Sequence, residues 1–305
     1  MEKQRPSHTG ILSSNTVSNW LTILRQLSRA ELSAMVALSA LTGQLFAEQR
    51  WSLTGSVVTM AVFLLAAGCS ALNQWQEQDL DASMERTHLR PLPAGTLTPP
   101  AALAFAAGAI GCGLTMLAFL PDPRPLLLGL LAVIWYNAIY TPLKRHTPFA
   151  ALPGALCGAL PPLIGWSATG APLLSAKILI LFGTLFVWQI PHSWLLLCCY
   201  RRDLQQSGLP NLFETISTRR LLQINNCWLV ALMICYLQFV LFGFIQNLLL
   251  AVCFLSGVAS IGLACIVESR KRAEPVSPKR LFHLINLSMA LLLTVILLDS
   301  WLTTL

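Results

Sequence analysis

Residues 53–81 read LTGSVVTMAVFLLAAGCSALNQWQEQDLD, and this stretch decides the fold. No charged residue interrupts it from Leu53 to Trp75. A bilayer core of about 30 Å is crossed by about 20 helical residues, and only helices or closed barrels satisfy the backbone in lipid. The stretch is therefore a predicted membrane-spanning helix. Its far end changes character, because Glu77, Asp79, Asp81 and Glu85 crowd the exit. Carboxylates near a membrane are costly without partners, so something there needs negative charge.

The same pattern recurs along the chain of 305 residues. Eight further segments qualify as spans, at roughly 30–47, 99–120, 125–142, 150–168, 174–199, 221–243, 246–267 and 281–302. The expectation is an all-α polytopic membrane protein with nine transmembrane helices, a single domain over 30–305 and a polar cytoplasmic leader over 1–29 with no cleavable signal. Composition agrees, with 55% hydrophobic and 11% charged residues against about 25% charged in globular proteins, and a mean hydropathy of +0.65. Disordered, collagenous and disulfide-scaffold classes are excluded.

The net charge of +7 raises the question of nucleic acid, but no basic helix or aromatic–basic stripe accompanies it, so no nucleic-acid partner is expected. With the N-terminus inside, seventeen of the 20 Lys and Arg fall on one side, and only Arg50, Arg124 and Lys177 fall on the other. The positive-inside rule then predicts an N-in, C-out topology. The nine cysteines all lie in apolar stretches without metal-ligand spacing, and reduced packing residues are expected.

Asn73, Glu77 and Asp81 recur every four residues. On a helix that spacing puts three oxygen-bearing side chains on one face, rising about 6 Å per step. Like charges at this spacing destabilise a bare helix and suit a hard cation instead. Mg²⁺ takes a few carboxylates plus substrate phosphate oxygens, and Arg86 and Arg90 follow closely enough to hold such phosphates. The plainer alternative is a solvated helix end. Asp79 is expected to face away. A second loop on the same side carries Asp203 beside Arg201 and Arg202. Lys144 and Arg145, a turn after Tyr140, fit either a phosphate grip or simple membrane anchoring. His192 follows Pro191 in an apolar segment, where an ionisable group is either functional or bonded to a carbonyl freed by the kink. Asp299, near the outer end of the last span, is expected at the interface.

With these residues in place, the chain resembles the UbiA superfamily of intramembrane prenyltransferases. Asn73, Glu77, Asp81, Arg86 and Arg90-Pro91 match its first motif in order, with Glu77 in place of the commoner Asp. Within the superfamily it is similar to the protoheme IX farnesyltransferase branch. The shared stretches are Asp79-Leu-Asp81 with Met84-x-Arg86-Thr87, Tyr140-Thr-Pro-Leu-Lys-Arg-His-Thr147, Gly158-Ala-Leu-Pro-Pro-Leu-Ile-Gly-Trp166, and Trp188-Gln189-Ile-Pro191-His192 followed by Asp203 and Gly208-Leu-Pro210. The chain departs from the branch at Arg29-Ala30-Glu31, Ala150 and Leu204.

The resemblance implies a nine-helix UbiA-type bundle in a bacterial plasma membrane, with active-site loops facing the cytoplasm. It implies transfer of a farnesyl group from farnesyl diphosphate to a vinyl group of heme B, giving heme O for heme A and terminal-oxidase biogenesis. Mg²⁺ is the implied cofactor, held by Asn73, Glu77, Asp81 and Asp203, which also form the catalytic set. Arg86, Arg90, Tyr140, Lys144 and Arg145 are implied diphosphate contacts, and His192, Trp188 and Gln189 implied heme contacts. Association with heme A synthase or oxidase assembly factors follows from the same resemblance. Two alternatives stay open: a related enzyme acting on an aromatic ring or chlorin, and a non-catalytic transport or heme-assembly protein. A transporter usually buries its ionisable residues near the midplane, whereas these gather at one face.

Overall fold

The computed structural model describes residues 14–270 and 277–303. Lys3, Arg5, His8, Lys271, Arg272 and Pro275 lie outside them. Among the described residues every regular element is helical. Nine long helices match the nine expected spans: α2 (Ala30–Glu48), α3 (Leu53–Gln76), α5 (Pro99–Ala118), α6 (Arg124–Ile134) continued through a π-helical turn (Trp135–Tyr140) into α7 (Thr141–Leu143), α8 (Ala151–Ser167), α9 (Ala176–Cys199), α12 (Thr218–Leu241), α13 (Leu248–Arg270) and α14 (Pro278–Leu302). Eight are long and apolar enough to cross a bilayer by length and composition, and α8, at 17 residues, is a little short of them.

Shorter helices lie between the spans. Part of the expected leader forms α1 (Ser14–Ser28). It joins α2 through Arg29, which sits in the left-handed region at φ 45° and ψ 56°. The others are α4 (Gln78–Ser83), α10 (Arg201–Gln206) and α11 (Leu212–Thr215).

Without a hydrophobic drive between helices in lipid, close backbone approach has to come from small residues. Gly43 of α2 faces the backbone of Pro162, and Gly165 of α8 faces that of Ala40. A Cβ at either glycine would lie 2.0 and 1.8 Å from a carbonyl oxygen. These two contacts press α2 onto α8 and fix the wall of the central cavity. On the other side α9, α12, α13 and α14 pack around Leu181, Tyr236, Phe239, Phe254 and Leu292. There the buried Tyr236 hydroxyl is satisfied by the Ser288 hydroxyl at 2.9 Å.

The two ends of the bundle differ in chemistry. At one end Arg124 is paired with Asp122 and donates to the Ala171 carbonyl at 2.9 Å. Asp299 is buried at this end rather than open at the interface. It accepts the backbone N–H groups of Gln246 and Asn247 at 2.8–3.1 Å, and so caps the start of α13. Ser300 donates to the Leu45 carbonyl, which places the end of α14 beside the end of α2. The opposite end, where α2 begins, holds the polar cluster described next. All nine cysteines are free thiols.

Candidate active site

The helix carrying the four-residue motif does not run straight through it. α3 stops at Gln76, Glu77 leaves helical geometry at φ −111° and ψ 15°, and α4 restarts at Gln78. The step-of-four hydrogen bonds nevertheless survive, from Glu77 N–H to the Asn73 carbonyl at 2.9 Å and from Asp81 N–H to the Glu77 carbonyl at 2.8 Å. The three side chains therefore keep a common face, and all three are buried, while Asp79 is exposed.

Each carboxylate already has a cation. Lys144 Nζ lies 2.7 and 2.8 Å from the two oxygens of Glu77, and Arg90 Nη1 lies 2.7 Å from both oxygens of Asp81. Burial holds the Lys144 ammonium below the ordinary lysine range, with Glu77 pulling it back upward. Burial likewise lowers Arg90, helped by the like charge of Arg29 and opposed by Asp81. Asn73 donates to Glu77 at 2.8 Å and to the Thr141 hydroxyl at 3.1 Å.

The lysine reaches the motif because of how α6 ends. Pro142 has no N–H to give to the preceding turn, and the helix widens before it. The Thr141 N–H bonds five residues back to the Tyr136 carbonyl, which also receives the Thr141 hydroxyl at 2.9 Å. Asn137 ties this turn to α3 by donating to the Cys69 carbonyl at 3.1 Å and accepting at its own carbonyl from Gln76 at 3.0 Å. Lys144 then lies over the Tyr140 ring at 5.1 Å, and Tyr140 lies against Gly154, where a Cβ would come within 2.4 Å of the ring.

The remaining expected residues are less tightly gathered. Asp203 is buried and accepts the backbone N–H of Arg86 at 3.3 Å, which pins α10 to the motif loop. The Arg86 guanidinium lies over the Tyr200 ring at 4.8 Å. Arg145 donates to the Gln76 carbonyl at 2.9 Å and lines a polar groove with Gln205, Asn211 and Glu214. Among the described residues no three of His, Cys, Asp or Glu come close enough together to hold a metal by themselves.

Sequence reasoning treated Arg29 only as a departure from the family pattern, yet its guanidinium reaches the Asn73 amide oxygen at 3.3 Å. Its Nε is buried without a partner. Thr141 was likewise missed. A basic residue at the very start of a span, on the side where the acids gather, was the available signal for Arg29.

The expected heme-contact group is divided between two faces of α9. Gln189 lines the central cavity and lies close to Gly158. Trp188 and His192 instead turn toward α14, where Trp188 donates to the Ile285 carbonyl at 3.2 Å. His192 Nδ1 lies 2.7 Å from the Asn286 amide oxygen, with its ring packed at a tilt between Trp188 and Phe282, at interplanar angles of 41° and 40°. Residues 188 and 192 are four apart and share a face, whereas 189 is turned about 100° from 188.

Beside the carboxylates lies a cavity of about 240 Å³, walled by α2, α3, α6, α8 and α9. Its lining is apolar except for Ser70, Tyr136, Tyr140, Gln189, Ser193 and the thiols of Cys69 and Cys157. The arrangement joins an anion-binding and cation-binding head to an oily chamber. That combination suits an amphipathic substrate with a charged end and an apolar tail.

The UbiA prenyltransferase family matches residues 34–292. A protoheme IX farnesyltransferase of Oleidesulfovibrio alaskensis is 35% identical over 280 residues, covering 91% of this chain and 96% of that one. The protein of the same name from Geobacter sulfurreducens is 44% identical over 184 residues, 60% of this chain and 68% of that one. The structure of a UbiA homolog from Archaeoglobus fulgidus bound to GPP and Mg²⁺ superposes with a TM-score of 0.68 at 15% identity, covering 91% of this chain and 99% of that one.

Proposed function

The chain belongs to the UbiA prenyltransferase family, and from that premise we propose that it farnesylates a vinyl group of protoheme IX (heme B) with farnesyl diphosphate, giving heme O. The observation that carries the prenyl-transfer reading is the pairing of Glu77 with Lys144 and of Asp81 with Arg90 beside an apolar chamber. The choice of heme as acceptor is supported by the likeness to protoheme IX farnesyltransferases across nine-tenths of the chain.

The donor set of amide and carboxylate oxygens at Asn73, Glu77, Asp81 and Asp203 suits Mg²⁺, which commonly completes its shell with substrate phosphates. When bound, Mg²⁺ supplies charge neutralisation for the departing diphosphate. Everything else falls to the chain. Lys144 and Arg90, now spent on carboxylates, are placed to turn to the diphosphate, with Arg29, Arg86 and Arg145 around them. The allylic C1–O bond of farnesyl diphosphate breaks and diphosphate leaves. C1 bonds to the terminal vinyl carbon of heme, and water adds its oxygen to the other vinyl carbon and loses a proton. The faces of Tyr136 and Tyr140 line the cavity where positive charge develops on the prenyl group. The apolar walls keep water from quenching that charge early.

The positive-inside count supports a cytoplasmic position for the site end, and the likeness to bacterial protoheme IX farnesyltransferases supports a bacterial inner membrane and, as proposed neighbours, heme A synthase or oxidase assembly factors. The test incubates purified protein with Mg²⁺, farnesyl diphosphate and either heme B or an aromatic acid, and weighs the products. Farnesylated heme is the expected product. A prenylated ring acid beside untouched heme overturns the acceptor.

A further inference from the structure

We infer that the central cavity is a length gauge that stops the prenyl tail at three isoprene units, with Val62 and Ile164 as the stop. The inference deepens the reading above and rests on it. Tail length follows from depth, and depth is set by helix geometry. On α3 the eleven steps from Asn73 down to Val62 span about 16 Å, and on α8 the ten steps from Gly154 to Ile164 span about 15 Å, at about 1.5 Å per residue. Both Val62 and Ile164 line the cavity.

The lining is most deeply buried at the end of the chamber away from the carboxylates. Leu32, early in α2, is 48% exposed, whereas Val62 and Ile164 are 2% and 1% exposed. Behind these two stands a packed layer of Ala40, Val58, Ala61 and Leu117, buried to 1% or less. Leu65, beside Val62, is held in place by Gly113 and Gly129, whose added Cβ atoms would come within 3.0 and 3.2 Å of it. The floor therefore has little room to give.

An extended polypeptide advances about 3.5 Å per three bonds, so a four-bond isoprene unit spans about 4.7 Å, three units about 14 Å and four about 19 Å. Three units fit between the carboxylates and the floor. The fourth meets Val62 and Ile164. Ala66 stands one helical turn above Val62 on the same wall, level with the third unit, and its small side chain leaves that unit space. An extra methylene pressed against a packed pocket wall is worth about 10- to 200-fold in discrimination.

The experiment measures kcat/KM for geranyl, farnesyl and geranylgeranyl diphosphates with heme B and Mg²⁺. The intact chain is expected to favour farnesyl over geranylgeranyl by about tenfold or more. Val62→Ala and Ile164→Ala are expected to cut that preference about tenfold. Ala66→Phe, or the gentler Ala66→Leu, is expected to shift preference to geranyl. Melting-temperature shifts with the corresponding thiolodiphosphates and Mg²⁺ read tail length without any transfer. If those shifts rank farnesyl first and move with the variants while heme stays unmodified, the gauge stands and the heme reading falls. Equal use of geranylgeranyl and farnesyl by the intact chain, or a preference unmoved by floor and wall variants that still melt cooperatively, overturns the gauge.

Discussion

Lys144 and Glu77 stand 67 residues apart in the chain and 2.7 Å apart in space. The pair bridges the π-helical turn before Lys144 and the break in the acidic motif, two places where the backbone leaves regular helix. The side chains are 25% and 10% exposed, so the pair is only partly shielded from solvent. Removing the lysine strands a mostly buried carboxylate, at a cost of about 1–3 kcal/mol, and takes away a diphosphate contact. Lys144→Ala is expected to lose that much in chemical denaturation and to raise the KM for farnesyl diphosphate about tenfold or more, with Lys144→Arg intermediate. An unchanged KM in the alanine variant removes the lysine from the diphosphate site.

The burial contrast within the acidic stretch gives a second expectation. Asp81 is 4% exposed and held by Arg90, whereas Asp79 is exposed. Asp81→Asn is expected to lower turnover by about 10²-fold or more, the scale of losing a preorganised electrostatic contact. Asp79→Asn should stay within about 0.5 kcal/mol in stability, as surface changes usually do, and keep near-normal turnover. Equal losses at the two positions would show that facing does not select the functional carboxylate.

Metal and substrate are expected to bind together. Because both motif carboxylates are occupied by the chain's own cations, Mg²⁺ alone has to displace them, while a diphosphate draws them off. Mg²⁺ alone should barely move the melting temperature, a thiolodiphosphate alone modestly, and the two together more than the sum, by reciprocal linkage. Chelation should stop turnover and leave the melting temperature of the free protein in place. Strong binding of Mg²⁺ without diphosphate contradicts this.

Tyr140 is held by a glycine on the facing helix, since a Cβ on Gly154 would sit 2.4 Å from its ring. Gly154→Ala should push the ring and Lys144 with it, cutting kcat/KM about tenfold or more while the protein still inserts. Because α8 gains helix propensity from alanine, a loss of activity without loss of stability marks displacement of the ring. Activity equal to the parent's shows that Tyr140 tolerates the move.

Gln189 and His192 make opposite predictions from neighbouring positions. Gln189→Ala alters the cavity wall and is expected to change the KM for one of the two substrates. His192→Ala removes a hydrogen bond to Asn286 and is expected to cost about 1 kcal/mol in stability while heme O still forms. Loss of heme O by a well-folded His192→Ala protein would restore the histidine to the heme site.

Much of this architecture was legible in the amino-acid order. Uninterrupted apolar blocks leave a chain few choices in lipid, and all nine expected spans are helices here. The step of four among Asn73, Glu77 and Asp81 forecast their common buried face, because backbone hydrogen bonding keeps that period even through the break at Glu77. The division of α9 was harder to read. That helix carries polar side chains on more than one face, Gln189 and Ser193 toward the cavity and His192 toward α14, so no single polar stripe says which face meets the cavity, although the spacing separates Gln189 from Trp188 and His192. Arg29 was hidden for another reason: its reach to Asn73 depends on a left-handed residue between two helices, a tertiary constraint with no glycine to announce it.

The π-helical turn at Trp135–Tyr140 carries a consequence for how this chain tolerates change in length. One residue of ordinary helix turns about 100°, so removing one from the middle of most spans would rotate everything beyond it away from its partners. A widened turn already holds one residue more than regular winding needs. Taking out a single residue there, Ala138 or Ile139 for instance, would force the turn toward regular helix against Pro142, which has no N–H to give and crowds the turn before it. It would also disturb the ties of Asn137 and Thr141 that bring Lys144 to Glu77. The extra residue is therefore not slack: the length of this span is fixed by the lysine it has to deliver.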